Sequence, residues 1–336
     1  MHRIARKFRI NIVESRFTPI IFALIAIFMR LALFLSVGIQ QQEYPTSFVW
    51  QTISPLFSNN WISLISSTAS IFIIAFIFSN LNLRYTLTRF RTSLPFALLL
   101  FVLSVHPLFL AMSPNYLSII FILLAVSPML ESYQNHSPHN FAFKSGVLIA
   151  IAGTFQVFAL AFLPLWWYGE TSMHGFRVKS FIALLLGALL VFWNVAGLYF
   201  LFTNLQSFLV PFSFFDSINL ALPHYTPMKW SVIGIVSLIT IVLIVLDTEV
   251  FKRERVLTQK TLTFIIIIVF SSIILHLLYG QQTFFFVQLF VNMLIFIVAH
   301  YFSYVKTRWG VYLFFFVFIG LFMIYINYLI GNPLLF

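Results

Sequence analysis

The chain contains no cysteine, which excludes disulfides and thiolate chemistry. It also has little charge. Asp, Glu, Lys and Arg supply only 8% of its 336 residues, against roughly 25% in soluble domains. Acidic residues are scarcest: 8 Asp and Glu stand against 19 Lys and Arg, for a formal charge of +11. In a soluble chain that balance would suggest nucleic acid. Here no nucleic-acid partner is expected, because the cations punctuate apolar runs, as in loops that face the cytoplasm. Familiar motifs are missing too. No Gly-rich loop ends in Gly-Lys-Ser or Gly-Lys-Thr, and no HExxH or GxSxG occurs. ATP hydrolysis and the zincin and nucleophile-elbow chemistries therefore have no sequence basis. His136 and His139 are three apart, but only Glu131 stands near them, so no metal site and no cofactor is expected.

What the chain has in abundance is apolar surface: 61% hydrophobic residues, including 44 phenylalanines. The apolar residues come in runs of about 20, the length that crosses a bilayer. The sequence predicts an all-α, polytopic transmembrane bundle in one integral membrane domain, 1–336. Spans are expected at 17–38, 61–79, 94–112, 115–130, 145–165, 180–203, 230–246, 261–279, 284–304 and 309–330. His2, Arg3, Arg6, Lys7 and Arg9 precede the first run, which reads as an uncleaved span with a cytoplasmic N-terminus. Ser113-Pro114 reads as a sharp turn between two spans. Segment 205–222 is long enough to cross but is interrupted by Pro211 and Asp216. The stretch 205–229 is accordingly a broken or interfacial element.

Charge tests the span count. Arg84, Arg89 and Arg91, then Lys252, Arg253, Arg255 and Lys260, then Lys306 and Arg308, all read as cytoplasmic. An even number of crossings must separate Arg91 from Lys252. Counting 205–222 as a span gives about eleven in all, the preferred reading; nine or ten are the alternatives. A shallow 115–130 gives nine and places Arg177 and Lys179 inside. Either way the C-terminus lies outside. Gly146, Gly153, Gly187 and Gly197 are candidates for close helix approach. Trp166, Trp167 and Tyr168 read as an interfacial aromatic belt, and the DTEVFKRER stretch as a solvated helix end.

Polar residues at membrane depth are the candidate functional groups. Arg30 lies about 20 Å along the first span and is a candidate clamp for a lipid phosphate. Glu43, in the first external loop, and His106, near the outer end of its span, are candidate catalytic groups. His276, Gln288 and Asn292 are candidate lipid- or phosphate-binding residues near the same face. Gln288 and Asn292 are four apart on one helix side. Gln156, Asn194, Asp216 and His224 are weaker candidates.

Two resemblances follow from these residues. The stretch 94–203 has a Ser-Pro turn (Ser113, Pro114), a Phe-x-x-Gly opening (Phe143, Gly146), a Leu-Pro exit (Pro164), a basic linker (Arg177) and a glycine-bearing span (Gly187). It resembles an uncharacterised multi-pass inner-membrane family of Bacteroidota, a domain of unknown function. That resemblance implies a bacterial inner membrane and a cell-envelope context. Glu43 and Ser113-Pro114 also resemble, distantly, the outline of polyprenyl-phosphate-sugar glycosyltransferases of GT-C-like fold. Those enzymes carry an acidic pair where this loop offers Glu43 alone. Three functions are therefore expected, in this order: an accessory or assembly subunit of an envelope complex, a lipid-linked glycosyl or phosphoryl transferase, and a transporter. The implied partners are membrane lipids, among them a polyprenyl-phosphate lipid, and other membrane proteins.

Overall fold

The computed structural model describes residues 3–40, 47–88, 92–202, 204–216, 218, 227–279 and 284–330. Every regular element among them is helical. A short α1 (Arg3–Phe8) leads through a π turn to α2 (Thr18–Val37), then α3 (Trp50–Ile53), α4 (Asn60–Tyr85), α5 (Leu94–Val102) and α6 (Pro114–Glu131). Next come α7 (Pro138–Phe155), α8 (Leu163–His174), α9 (Val178–Phe202) and α10 (Leu205–Leu209). The last four are α11 (Pro227–Phe251), α12 (Val256–Tyr279), α13 (Phe284–Ser303) and α14 (Arg308–Leu329). Among the described residues, seven helices are long and apolar enough to cross a membrane: α2, α4, α6, α9, α12, α13 and α14. The protein is an all-α, multi-pass membrane bundle.

Side-chain contacts identify its two ends. At one, Arg84 pairs with Glu131 at 2.9 Å and Arg255 bonds Thr86. At the other, Tyr199 donates to the Phe48 carbonyl and His106 bonds Tyr328. Apart from Arg30 and Lys229, every described Lys and Arg lies at the first end or within about two helical turns of it. It is termed the basic end below.

Three predicted spans are rebuilt by local chemistry. The 94–112 run is helical only to Val102. Pro107 has no N–H and pushes His106 into extended backbone, so a 3-10 turn over Pro107–Phe109 replaces the helix. Ser113 is extended and Pro114 starts α6, as the Ser-Pro turn predicts. α6 is a full helix from end to end, not a shallow one: Met112, just before it, bonds Ser63 near the start of α4, and Glu131 meets Arg84 near its finish.

The second departure is larger. The predicted span 145–165 is two arms, not one. α7 stops at Phe155 and Gln156 is extended, its amide donating to Asn115 Oδ1 at 3.3 Å. A 3-10 stretch over Val157–Phe162 then turns the chain, and Pro164 opens α8 in place of closing a span. α8 returns toward the basic end, where Glu170 meets Ser145 of α7. Trp166 is consequently wholly buried, its indole N–H on the Ala125 carbonyl and its ring against Phe264. It belongs to the core, not to an interfacial belt.

Third, 205–216 is no span. α10 and a 3-10 turn over Val210–Asp216 lie on the end opposite the basic one. Phe208 and Phe212 pack on Phe48 there, and Phe215 packs on Phe158 and Tyr279.

α7 and α9 run parallel and touch backbone to backbone. A methyl group added at Gly146 would stand 2.1 Å from the Leu184 carbonyl oxygen, and one at Gly187 would stand 2.3 Å from that of Phe143. Gly197 meets nothing within 4 Å, so it plays no part in this approach. Gly146→Ala and Gly187→Ala should each lose about 1–3 kcal/mol through overpacking, whereas Gly197→Ala should not destabilise and should gain up to about 1 kcal/mol in helix propensity. Detergent-induced unfolding of the three variants checks the contrast.

Candidate functional site

α2 buries Ala26, Met29, Arg30 and Leu33 along one face. Arg30 is only 2% exposed. Its Nε donates to Thr68 Oγ1 at 2.8 Å, one terminal nitrogen to Ser67 Oγ at 2.6 Å, and the other to the Leu103 carbonyl at 3.4 Å. No carboxylate lies within ion-pair distance of it among the described residues.

This arrangement has a cause. Residues 103–113 are largely non-helical, yet they lie beside the membrane-spanning α2 and α4. Backbone without helical bonding survives at such depth only when protein groups satisfy it. α4 supplies a serine stripe at helical spacing. Ser63 Oγ accepts from the Met112 N–H at 2.8 Å, Ser67 donates to the Leu110 carbonyl at 2.5 Å, and Ser70 reaches Met112 Sδ at 3.6 Å. Arg30 completes the set on Leu103. Tyr116 closes the loop with its hydroxyl on the Phe109 carbonyl at 2.7 Å. The guanidinium is a fastener for the broken α5.

His106 is engaged at both nitrogens. Nδ1 accepts from the Leu108 N–H at 3.1 Å, capping the 3-10 turn. An Nδ1 that accepts leaves the neutral ring's proton on Nε2, which faces the Tyr328 hydroxyl at 2.8 Å. Gln288 and Asn292 are buried on α13, where Asn292 Nδ2 bonds the Gln288 carbonyl at 2.7 Å. Gln288 Nε2 and Asn292 Oδ1 have no hydrogen-bond partner. His276 is half-buried near the end of α12. None of these three bonds Arg30 or His106 in the described hydrogen bonds. Glu43 and His224 lie outside the described residues, and Asp216 is exposed. Asn194 is exposed and bonds only the Leu190 carbonyl.

Two acid–imidazole pairs escape the sequence reading, and both lie near the basic end. Glu170 Oε2 lies 3.1 Å from His174 Nε2, one turn away on α8. Asp247 Oδ1 lies 2.6 Å from His300 Nδ1, joining α11 to α13, with neither side chain exposed. The DTEVFKRER stretch is thus only partly a solvated end. Glu249 and Lys252 are exposed and pair at 2.7 Å, but Asp247 points inward. The signal was periodic: Thr240, Leu243, Ile244 and Asp247 are buried at helical spacing. Among the described residues, no three His, Asp or Glu side chains gather as a metal site would require.

No protein-family profile, curated protein or solved structure matches the chain.

Proposed function

We propose that this protein is an accessory or assembly subunit of a cell-envelope complex in a bacterial inner membrane. One observation carries this reading. Arg30 and His106, the groups best suited to an outward reactive site, are spent on the bundle's own backbone and side chains. A phosphate clamp needs guanidinium N–H groups that a lipid headgroup can reach, and Arg30 is buried. Membrane lipids and membrane-protein partners are its proposed surroundings.

The distribution of cations supports a cytoplasmic basic end. With that orientation the N-terminus is cytoplasmic, the C-terminus is periplasmic, and the chain crosses eleven times. The 3-10 stretch and α8 supply the sixth crossing, which 205–222 does not. Because the chain has no cysteine, single-cysteine mapping is clean. In intact cells, Phe176→Cys should resist a membrane-impermeant maleimide and Ser213→Cys should react. Labelling of position 176 from outside would remove the sixth crossing.

The functional claim has its own test. Mild extraction should yield the protein in a stable assembly with other membrane chains. A monomer that still transfers a sugar or phosphoryl group from a polyprenyl-phosphate donor would defeat the reading.

A further inference from the structure

Asp247 and His300 play no part in the subunit reading and stand independently of it. Asp247 lies four residues before the end of α11 and His300 three before the end of α13, about 6 and 4.5 Å from the basic end along each axis. Their 2.6 Å contact uses one atom of each group. The other two, Asp247 Oδ2 and His300 Nε2, are buried with no hydrogen-bond partner. Buried polar atoms are satisfied in the great majority of cases, and each exception calls for a reason. Here both idle atoms are proton acceptors in the simplest protonation state.

The protons can be counted. With Nδ1–H donated to Oδ1 and nothing on Nε2 or Oδ2, the pair carries one negative charge. One added proton, on Nε2 or on Oδ2, makes the pair net neutral. We infer that Asp247 and His300 form a proton-binding site, which takes up and releases one proton from the basic end of the bundle.

The surrounding groups leave this charge to the pair itself. The His300 ring packs on Tyr304 at 4.9 Å, and Tyr301 is within electrostatic reach of Asp247. On α11, Glu249 and Lys252 neutralise each other. At α12, Arg255 bonds Thr86 and Lys260 lies over the Tyr133 ring. α5 has no titratable side chain, Glu131 of α6 pairs with Arg84, and Arg308 of α14 lies over Trp309. Among the described residues no Lys or Arg lies within ion-pair distance of Asp247. The Glu170–His174 pair differs. It lies within one helix, and the second oxygen of Glu170 already takes the Ser145 hydroxyl at 3.5 Å.

A hydrophobic carbodiimide modifies protonated carboxyl groups in apolar surroundings, so it reads this site directly. The full-length protein, in micelles or vesicles without sodium, is treated across a pH series and its peptides are weighed. An adduct is expected at Asp247, falling about tenfold per pH unit once the site releases its proton. Asp247→Asn should abolish it, and His300→Gln should keep it while moving its pH profile. The proposal fails if wild-type protein gives no Asp247 adduct at any pH. It fails if His300→Gln leaves the profile unmoved, or if sodium at constant pH protects the carboxyl, which would make this a metal-ion site. The wild-type measurement decides even if neither variant folds.

Discussion

Arg30→Ala should be among the most damaging single substitutions in the protein, costing about 2–5 kcal/mol, the range for emptying a large buried site. Three hydrogen bonds from a charged group vanish, each worth about 1.5–3 kcal/mol. Their loss is offset by relief from burying an unpaired charge, a penalty of several kcal/mol. The balance stays unfavourable because the Leu103 carbonyl loses its donor in a stretch with no helix to fall back on. Arg30→Met should cost less than Ala, since it fills the space and buries no charge. Arg30→Lys should not rescue, because an ammonium cannot present the planar fork that meets Ser67, Thr68 and Leu103 together. Ser67→Ala should reproduce part of the loss. The order Ala worst, Met milder, measured by unfolding in mixed micelles, checks the assignment. A phosphate clamp predicts otherwise: Arg30→Ala would leave stability intact and abolish lipid binding.

How much of this could be read from sequence depends on range. Long uninterrupted runs became helices close to their expected bounds, as with α2, α12, α13 and α14, because length against bilayer thickness is a local criterion. The break at Gln156 was hidden. In a stretch apolar on every side, a 3-10 turn and an α-helix have the same hydropathy. Pro164 therefore read as an exit, although proline is equally at home in a first turn. Arg177 and Lys179 held the better clue, since placing them at the basic end requires a crossing between Phe155 and Arg177. Arg30 stands out in the sequence as a costly charge, but its acceptors are 37 and 38 residues away on α4 and 73 away at Leu103. No local pattern joins those positions. Ser63, Ser67 and Ser70 on one face are the mark of a span that serves irregular backbone.

The second large effect is expected at Asp247 and His300, and it has a shape that separates a charge pair from ordinary packing. Removing one partner of a buried pair typically costs about 3–5 kcal/mol, because the other is left uncompensated; replacing both with apolar groups is often neutral or stabilising by about 1–4 kcal/mol. His300→Leu strands a carboxylate with no exposure and should fall at the upper part of the single-variant range. Asp247→Leu strands only an imidazole, which can stay neutral, and should approach the about 1–3 kcal/mol of one unsatisfied buried donor. The double variant should be more stable than His300→Leu alone, with a coupling of about 0.5–3 kcal/mol between the positions. Simple additivity would mean that the two side chains merely fill space between α11 and α13. A double variant at least as stable as the wild type would show that the helices are held by the packing around the pair, and that the buried charge is kept for something other than stability.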